Sequence, residues 1–370
     1  MRSNERPATS DQQRVTGNEL RVVQVSRVRL NPYVSLLQEG IQLAVPDVRV
    51  AVSPVLSPWR WLSPSLPHIL HLHWPELLYR TSQPWRSQAL WRYVVLSLAL
   101  AQRLGIRVVY TLHNLRPHEL ALGDLDAQAA AHMVATADAV HVHHISAAQA
   151  VADTYGRRDG IYVVPHGHYI GAYPDEMNPA TARARLGLAP DQFVYLYFGQ
   201  IRRYKGLERL LTAFRQVQDP RCTLLIAGHV GDPAYAAHIR PLAAQDTRVR
   251  LRLGYVPSDQ VQVYMRAADI CVLPYRHVTT SGAAMLAFSF GQPIIAPRLG
   301  PFLELVGESR GLLYEADEGE MTLVAALRRA RQSDLSSARA EALAYARRHN
   351  WKRLGKQHVA VYRRLLAGHP

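Results

Sequence analysis

The sequence has very little cysteine. Its two cysteines, Cys222 and Cys271, each lie inside an apolar run typical of a buried strand. Intracellular chains rarely contain disulfides, and so small a number disfavours the class of disulfide-rich secreted domains. We therefore expect two buried free thiols.

The sequence also lacks long hydrophobic runs. Its most apolar window, YVVLSLALA at 93–101, is about half as long as a transmembrane helix must be. Residues 1–18 are polar and have no apolar segment of the kind found in signal peptides, so they read as a disordered lead-in. These features predict a cytoplasmic protein that touches a membrane only at its surface.

Acidic residues are few relative to basic ones. There are 43 lysines and arginines against 29 aspartates and glutamates, a formal net charge of +14. Such a balance favours anionic partners: nucleic acid, anionic lipid or phosphorylated substrates. The cations are spread along the chain and the aromatic-basic motifs of RNA-binding proteins are missing, so we expect no nucleic acid partner.

What the sequence does contain is a regular alternation of short apolar strands with longer helical patterns. The predicted strands are 20–25, 68–74, 107–113, 139–144 and 161–167, followed by 193–199, 222–228, 249–256, 270–275 and 293–297. Apolar strands separated by helices indicate parallel sheets covered on both faces. A length of 370 residues favours two domains. The predicted fold class is α/β, with two doubly wound Rossmann-like domains whose strand ends face a common cleft.

The domain boundaries follow from composition. We expect an N-terminal acceptor-binding domain over 19–170 and a C-terminal domain over 171–350. The segment 168–192 is rich in proline, glycine and charge and is typical of an inter-domain linker.

The stretch FGQIRRYKG, 198–206, places cations between two glycines where a strand turns into a helix. The helix LERLLTAFRQV that follows carries an apolar face at helical spacing. Gly199 and Gly206 let the backbone approach a ligand, and Arg202 and Lys205 add charge, so this turn fits a diphosphate. The alternative is a solvated basic turn.

A second anion cradle is predicted at TTSGAAMLAFSF, 279–290. Ser281 fits a helix N-cap and Gly282 fits a position of close approach. The alternative is an ordinary capped core helix. Two such cradles in one domain suggest a nucleotide diphosphate.

Three H-x-H pairs lie at predicted strand ends: His71 and His73, His141 and His143, His166 and His168. Alternate residues share one face of a strand, so each pair could bind a metal. No aspartate or cysteine pattern accompanies them, and histidines that alternate with apolar residues on central strands also serve packing, which is the interpretation we favour. We expect no metal and no other cofactor.

The segment 80–107 interleaves arginines with aromatic residues and is typical of a helix lying on anionic lipid. Its cations and aromatics are Arg80, Arg86, Arg92, Arg103 and Arg107 with Trp85, Trp91 and Tyr93. The alternative is a helix packed on the first sheet with solvated arginines.

Five motifs of the second half, in this order, resemble the B-fold glycosyltransferases, most closely the family 4 group. They are FGQIRRYKGLERLLTAF, TLLIAGHV, LGYVPSDQVQVYMRAADICVLPY, TSGAAMLAFSFGQPIIAPRLGPFLELV and HNWKRLGKQHVAVYRRLL. The first half is similar to a bacterial exopolysaccharide-type subgroup through NPYVSLLQEGI, HLHWPE, TLHNLRPHE and VPHGHYIGAYP. The resemblance implies a hexosyltransferase that moves a sugar from a GDP- or UDP-linked donor to a glycan or lipid-linked acceptor. It also implies that residues 351–370 form a helix crossing back to the first domain.

The resemblance assigns donor contacts in the second half. Lys205 would contact the pyrophosphate, with Arg202 supplying the charge of an arginine that the family has where Gln200 stands here. The backbone around Ser281 and Gly282 would hold the distal phosphate. The other implied donor residues are Tyr255 and Val256 beside the nucleobase and Glu304 near the donor.

One departure from the family concerns two glutamates spaced eight positions apart, which typify its retaining members. Val278 and Leu286 stand in their places. Retention and inversion therefore both stay open.

The first domain is expected to bring the acceptor and, in an inverting enzyme, a general base. His113, Glu119 and Glu76 are the candidates for that base; a retaining enzyme needs none, and His113 would then contact the sugar. The expected acceptor-binding residues are Asn31, His73, Asn114 and His166.

Two other functions fit the sequence. One is another activity on the same fold, such as a sugar-nucleotide epimerase or a phosphorylase. The other is a non-catalytic basic module that binds nucleic acid or membrane, whose affinity would fall steeply with salt.

Overall fold

The computed structural model describes residues 19–62, 66–115, 122–316 and 319–368. Two six-stranded sheets, all of whose strand pairs are parallel, form its framework, with strand orders β2-β1-β3-β4-β5-β6 and β12-β11-β10-β7-β8-β9. The strands of the first sheet are β1 Leu20–Val25, β2 Val48–Ser53, β3 Ile69–His73, β4 Arg107–Thr111, β5 Ala139–Val142 and β6 Ile161–Val163. Those of the second are β7 Phe193–Phe198, β8 Cys222–Gly228, β9 Val249–Leu253, β10 Ile270–Val272, β11 Ile294–Pro297 and β12 Gly311–Tyr314. The predicted fold class, two Rossmann-like α/β units, is confirmed.

Helices connect the strands and cover the sheets. In the first half they are α1 Tyr33–Ala44, α2 Glu76–Tyr79, α3 Pro84–Arg103, α4 Asp124–Thr136 and α5 Ile145–Tyr155. In the second half they are α6 Pro179–Arg185, α7 Leu207–Arg215, α8 Pro233–Ala244, α9 Val261–Ala267, α10 Gly282–Ser289, α11 Pro301–Val306, α12 Glu320–Gln332, α13 Ser336–Arg348 and α14 Trp351–Leu366. Short 3₁₀ helices lie at Pro58–Leu62, Arg203–Lys205 and Ser258–Gln260. In the described part of the chain no helix is long and apolar enough to cross a membrane.

The last helix, α14, packs against α1 over the first sheet. Trp351, Leu354 and Tyr362 share one buried cluster with Leu37 and Ile41. The two helices approach closely because glycines face each other there: a Cβ on Gly40 would lie 2.4 Å from the Trp351 carbonyl oxygen, and one on Gly355 would lie 2.5 Å from the Gly40 carbonyl oxygen. The end of the chain is thereby attached to the sheet with which the chain begins. The proposed domain boundaries at 170 and 350 stay predictions.

The two cysteines are buried free thiols, as predicted. The apolar face predicted for the helix after FGQIRRYKG is also found, since Leu207, Leu210 and Phe214 are fully buried. The sequence reading missed two strands, β2 and β12. Both are edge strands of their sheets, so each pairs on one side only.

Candidate active site

The carboxyl ends of the two sheets meet, and the loops that follow the strands are in direct contact. The Leu115 N–H, two residues after His113, donates a hydrogen bond to Thr279 Oγ1 at 2.9 Å. The Tyr169 N–H donates to Ser289 Oγ of α10 at 2.8 Å. Polar residues predicted from separate halves of the sequence are therefore brought into one region.

Lys205 lies in the 3₁₀ turn between β7 and α7, with its ammonium above an aromatic ring. Its Nζ is 3.6 Å from the ring centroid of Tyr275 and 4.8 Å from that of Tyr204. Burial of the ammonium, reinforced by the nearby charge of Arg202, lowers the pKa of Lys205 to about 7. A lysine held in this way gains most from an anionic ligand, which would restore its proton.

The backbone of this turn needs glycine. Gly206 has φ +69°, and a Cβ there would lie 2.1 Å from the Pro274 carbonyl oxygen. The segment is anchored to the loop after β8, because the Ile201 N–H donates to the His229 carbonyl at 2.8 Å. Arg202 packs against Gly231, where a Cβ would lie 2.6 Å from Nε of Arg202.

One part of the predicted anion cradle is already occupied by the protein itself. The N–H of Leu207, at the start of α7, donates to the Tyr235 hydroxyl at 3.2 Å, and that hydroxyl donates to Glu208 at 2.6 Å. The charge offered here therefore comes from the side chains of Lys205 and Arg202 more than from the helix terminus.

Ser281 is the N-cap of α10, as its sequence context predicts. Its Oγ accepts a hydrogen bond from the Ala284 N–H at 3.2 Å. The next residue, Gly282, faces the first half of the molecule: a Cβ there would lie 3.2 Å from the Tyr169 hydroxyl and 3.6 Å from Nε2 of His166. The second predicted cradle thus opens toward residues expected to bind the acceptor.

Tyr33 joins most of the predicted acceptor residues into one cluster. Its ring centroid is 5.6 Å from that of His73, 5.0 Å from His113 and 4.9 Å from His166. Asn31 Oδ1 accepts from the Tyr33 N–H at 3.0 Å. The sequence alone did not identify Tyr33 as a candidate site residue, because only the fold shows that these strand ends converge on its ring.

His113 is the most constrained member of this cluster. Its ring stacks on Trp74 with centroids 3.7 Å apart and an angle of 7° between the planes. Its Nε2 lies 3.2 Å from Nδ1 of His73. Burial, together with the neighbouring His143, lowers the pKa of His113 well below its usual value, so the imidazole is neutral near pH 7, the form that a general base requires, but it is a weaker base than a free imidazole.

Of the three predicted histidine pairs, His71 and His73 lie together on β3, with ring centroids 4.2 Å apart. His166 and His168 both follow the end of β6 at Val163, so strand alternation does not extend to that pair. Among the described residues no group of three or more histidines, cysteines or carboxylates is arranged to hold a metal ion.

The remaining candidate bases lie elsewhere. Glu76 and Asn114 line a small cavity of about 20 Å³ beneath α2 and α4, and burial raises the pKa of Glu76. His113 also borders that cavity and so lies between it and the cluster. Glu119 lies outside the described residues.

Glu304 contacts the opposite half of the molecule. Its carboxylate accepts hydrogen bonds from the N–H groups of Ser146 at 3.1 Å and Ile145 at 3.4 Å, at the start of α5. The His144 side chain, helped by these N–H groups, lowers the pKa of Glu304 to about 2. The predicted contact between Glu304 and the donor stays a prediction. The contact that the structure shows links the second half of the molecule to α5 of the first half.

The other predicted donor positions differ in accessibility. Tyr255 is half exposed, whereas Val256 belongs to the second core. The two residues in the places of the family glutamates, Val278 and Leu286, also pack on that core. The sequence analysis had not singled out Arg276, whose Nη2 lies 3.5 Å from Glu208; the available signal was a cation in the loop between β10, which ends at Val272, and α10.

Comparison with known proteins identifies the family. Residues 192–333 match the family model described as glycosyl transferases group 1. The chain is 32% identical over 341 residues to a GDP-mannose:glycolipid 4-beta-D-mannosyltransferase of Xanthomonas campestris pv. campestris, an alignment covering 90% of this chain and 88% of that protein. A D-inositol 3-phosphate glycosyltransferase of Streptomyces avermitilis is 29% identical over 241 residues, 59% of this chain and 51% of that protein. The chain belongs to the group 1 glycosyltransferases.

Solved structures show the same fold at low sequence identity. Sucrose-phosphate synthase from Thermosynechococcus elongatus superposes with a TM-score of 0.72 and 20% identity, covering 95% of this chain and all of that one. The HepE protein of Anabaena in complex with UDP-glucose gives 0.69 and 16% identity over 92% of this chain and all of that one. The predicted recognition and the predicted enzyme class, a hexosyltransferase that uses a nucleotide sugar, are confirmed.

Proposed function

We propose that this protein transfers mannose from GDP-mannose to a hydroxyl group of a glycolipid and inverts the configuration at the anomeric carbon. The observation that carries the proposal is the 32% identity, over 90% of the chain, to an enzyme with that donor and that class of acceptor in its name. The polar cluster around Tyr33, placed opposite the cradle at Gly282, supports it with the geometry of a donor site facing an acceptor site.

Inversion follows from two observations. The relative is named a beta-mannosyltransferase, and GDP-mannose carries its sugar in α linkage, so a β product requires inversion. In this chain Val278 and Leu286 replace the glutamate pair that the resemblance associates with retention. A single displacement with a general base accounts for both.

The leaving GDP must be stabilised as negative charge develops on its diphosphate. In this proposal Lys205 and Arg202 supply positive charge, and the N-terminus of α10 supplies N–H groups. With these groups in place we propose that the transfer needs no metal ion and no other cofactor.

We assign the general base to His113. The acceptor hydroxyl would lose its proton to this neutral imidazole as the oxygen attacks the anomeric carbon. Trp74 fixes the ring by stacking, and His73 holds Nε2 at 3.2 Å. Asn31, His73 and His166 then remain to bind the acceptor sugar, with Asn114 on the far side of His113.

A glycolipid acceptor would bring the enzyme to a membrane surface, and α3 offers a surface for that contact. Trp85 and Leu96 are about 70% exposed, beside exposed Arg86, Arg92 and Arg103. The structure removes part of the predicted set: Trp91 packs in the core, and Arg80 and Arg107 pair with Asp126 and Asp138. The location we propose is peripheral, at the inner face of the membrane.

The test is product analysis with radiolabelled GDP-mannose and a panel of lipid-linked oligosaccharides. We expect label in the lipid fraction that β-mannosidase releases and α-mannosidase does not. Label released only by α-mannosidase would contradict inversion. Conversion of the donor without any acceptor would instead indicate an epimerase, and transfer to inorganic phosphate a phosphorylase. UDP-glucose in a parallel reaction tests the choice of donor.

A further inference from the structure

An apolar groove with a volume of about 460 Å³ crosses the outer strands β1 and β2. It lies on the same side of the first sheet as α3, since its lining residues Val25, Leu56 and Trp61 belong to the core cluster beneath α3. Val23 and Ala51 of the two neighbouring strands form its floor. The groove is separate from the cluster around Tyr33, which occupies the opposite side of the sheet.

The groove exists because the described part of the connection between β2 and β3 contains no α-helix. Parallel sheets are normally covered by helices on both faces. On the far face α1 covers Val48 and Val50. On the groove face the described part of the β2–β3 connection contributes only the five-residue 3₁₀ helix Pro58–Leu62. Among the described residues, no α-helix therefore covers this strip of apolar sheet surface.

We propose that this groove binds the hydrocarbon chain of the glycolipid acceptor, an inference that rests on the proposed function. The position of the groove favours this occupant. Its Val25 end pairs with Leu72, which directly precedes His73 of the acceptor cluster. A chain lying along the groove would leave its head group at the strand edge where the sugar must be bound.

Charge at the mouth of the groove fits such a molecule. Arg27 follows β1 and is fixed by two hydrogen bonds, from Nε to the Pro54 carbonyl at 3.1 Å and from Nη1 to the Leu77 carbonyl at 3.0 Å. Pro54 itself lines the groove. An apolar channel with a guanidinium held at its end matches a ligand with a hydrocarbon tail and an anionic head group.

The groove also continues into the proposed membrane-contacting surface. The Tyr93 hydroxyl of α3 donates to the Leu56 carbonyl in the groove wall at 2.9 Å. Val55 and Trp59 beside it are exposed apolar side chains, by 40% and 65%. A lipid that passes from a membrane under α3 into the groove would therefore contact the apolar side chains of Val55 and Trp59 on its way.

Calorimetric titration with hexyl, octyl and decyl β-glucoside below their micelle concentrations tests the proposal on the intact protein. We expect the dissociation constant to fall about fourfold for each added methylene, the increment for burial of that group. Equal affinities along the series, or no binding of decyl glucoside, would overturn the proposal. The titration contains no donor, so its result is independent of whether mannose is the sugar transferred.

Two groove variants and one matched control make the location specific. Ala51→Trp fills the floor and Val55→Asp places a charge on the rim; both should abolish the dependence on chain length. Val163→Trp lies on the other edge of the same sheet and is 41% exposed, close to the 40% of Val55, so it should bind as the unmodified protein does. If the groove variants retain the dependence, the chain binds elsewhere. A dimer that Ala51→Trp dissociates would identify a second copy as the occupant, contrary to the proposal.

Discussion

At the scale of single residues, the proposed donor site contains a lysine whose charged form is destabilised in the free protein. Lys205 combines a buried ammonium with the nearby charge of Arg202, and both lower its pKa. A diphosphate would reverse the balance, because the charged form then gains a partner. The destabilised charge in the free protein becomes a source of affinity in the complex.

Replacing Lys205 by alanine should therefore reduce turnover strongly while the protein stays folded. A lost contact to a developing anion costs about 2.7–4 kcal/mol of barrier, so we expect kcat to fall by about 10²–10³-fold. Initial rates with GDP-mannose measure the effect, and thermal denaturation checks folding. Lys352→Ala, an exposed lysine of α14, is the control. Unchanged turnover in folded Lys205→Ala would remove Lys205 from the site.

The pH dependence of donor binding should report the same group. With a pKa of about 7 in the free protein, Lys205 loses its proton as pH rises through 7, so binding of GDP must then take up a proton. We expect the dissociation constant for GDP to increase by up to tenfold per pH unit above pH 7. Lys205→Arg, which stays charged, should flatten the profile. A profile equally steep in that variant would point to another group.

His113→Ala tests the general base. Loss of such a base typically costs about 10²–10⁴-fold in rate, and GDP binding should be unaffected because the donor contacts lie in the other half. Single-turnover transfer and a GDP titration separate the two effects. His132→Ala on α4, a histidine outside the cluster, is the control. A variant that keeps its rate would shift the role to Glu76 or Glu119.

At the scale of elements, the sequence predicted the features that depend on a local residue pattern, namely most strands and a helix cap. It missed features that depend on contacts between distant segments. Apolar runs identified ten strands, but the edge strands β2 and β12 escaped. Ser281 was recognised as a cap because capping is local. The hydrogen bond from the Leu207 N–H to the Tyr235 hydroxyl joins residues 28 positions apart, and no local sequence pattern predicts it.

The helix α3 carries the prediction of membrane contact. Trp85 and Leu96 are exposed on it beside arginines, and each cation near an anionic surface adds about 1 kcal/mol of binding. We expect Arg86→Glu with Arg92→Glu to reduce sedimentation with phosphatidylglycerol vesicles at least tenfold. The same reversal at Arg240 and Arg252, exposed in the second half, should have no effect. Equal loss in both pairs would indicate general charge attraction instead of docking through α3.

At the scale of the whole molecule, the two halves are held together by contacts that lie close to the catalytic candidates. His113 and His166 are each 4% exposed, so we expect the halves to separate before an acceptor reaches them. Leu115 with Thr279, and Glu304 with the start of α5, are contacts that such an opening must break. The sequence predicted the cleft from the fold class, but not these contacts, because each joins residues more than 150 positions apart.

Glu304→Ala should shift the free protein toward the open form. A carboxylate that caps a helix contributes about 0.5–2 kcal/mol, and here the helix belongs to the other half. We expect a larger radius of gyration by small-angle scattering, restored by donor and acceptor together. Glu315→Ala, which breaks a pair with Arg298 inside the second half, is the control.

Because the pKa of Glu304 is lowered to about 2, the stabilisation that its carboxylate contributes is present above the unfolded pKa near 4.5 and is lost only as pH falls toward 2. The difference between Glu304→Ala and the unmodified protein should thus persist at pH 5, and a difference that disappeared there would mean that the carboxylate does not close the cleft.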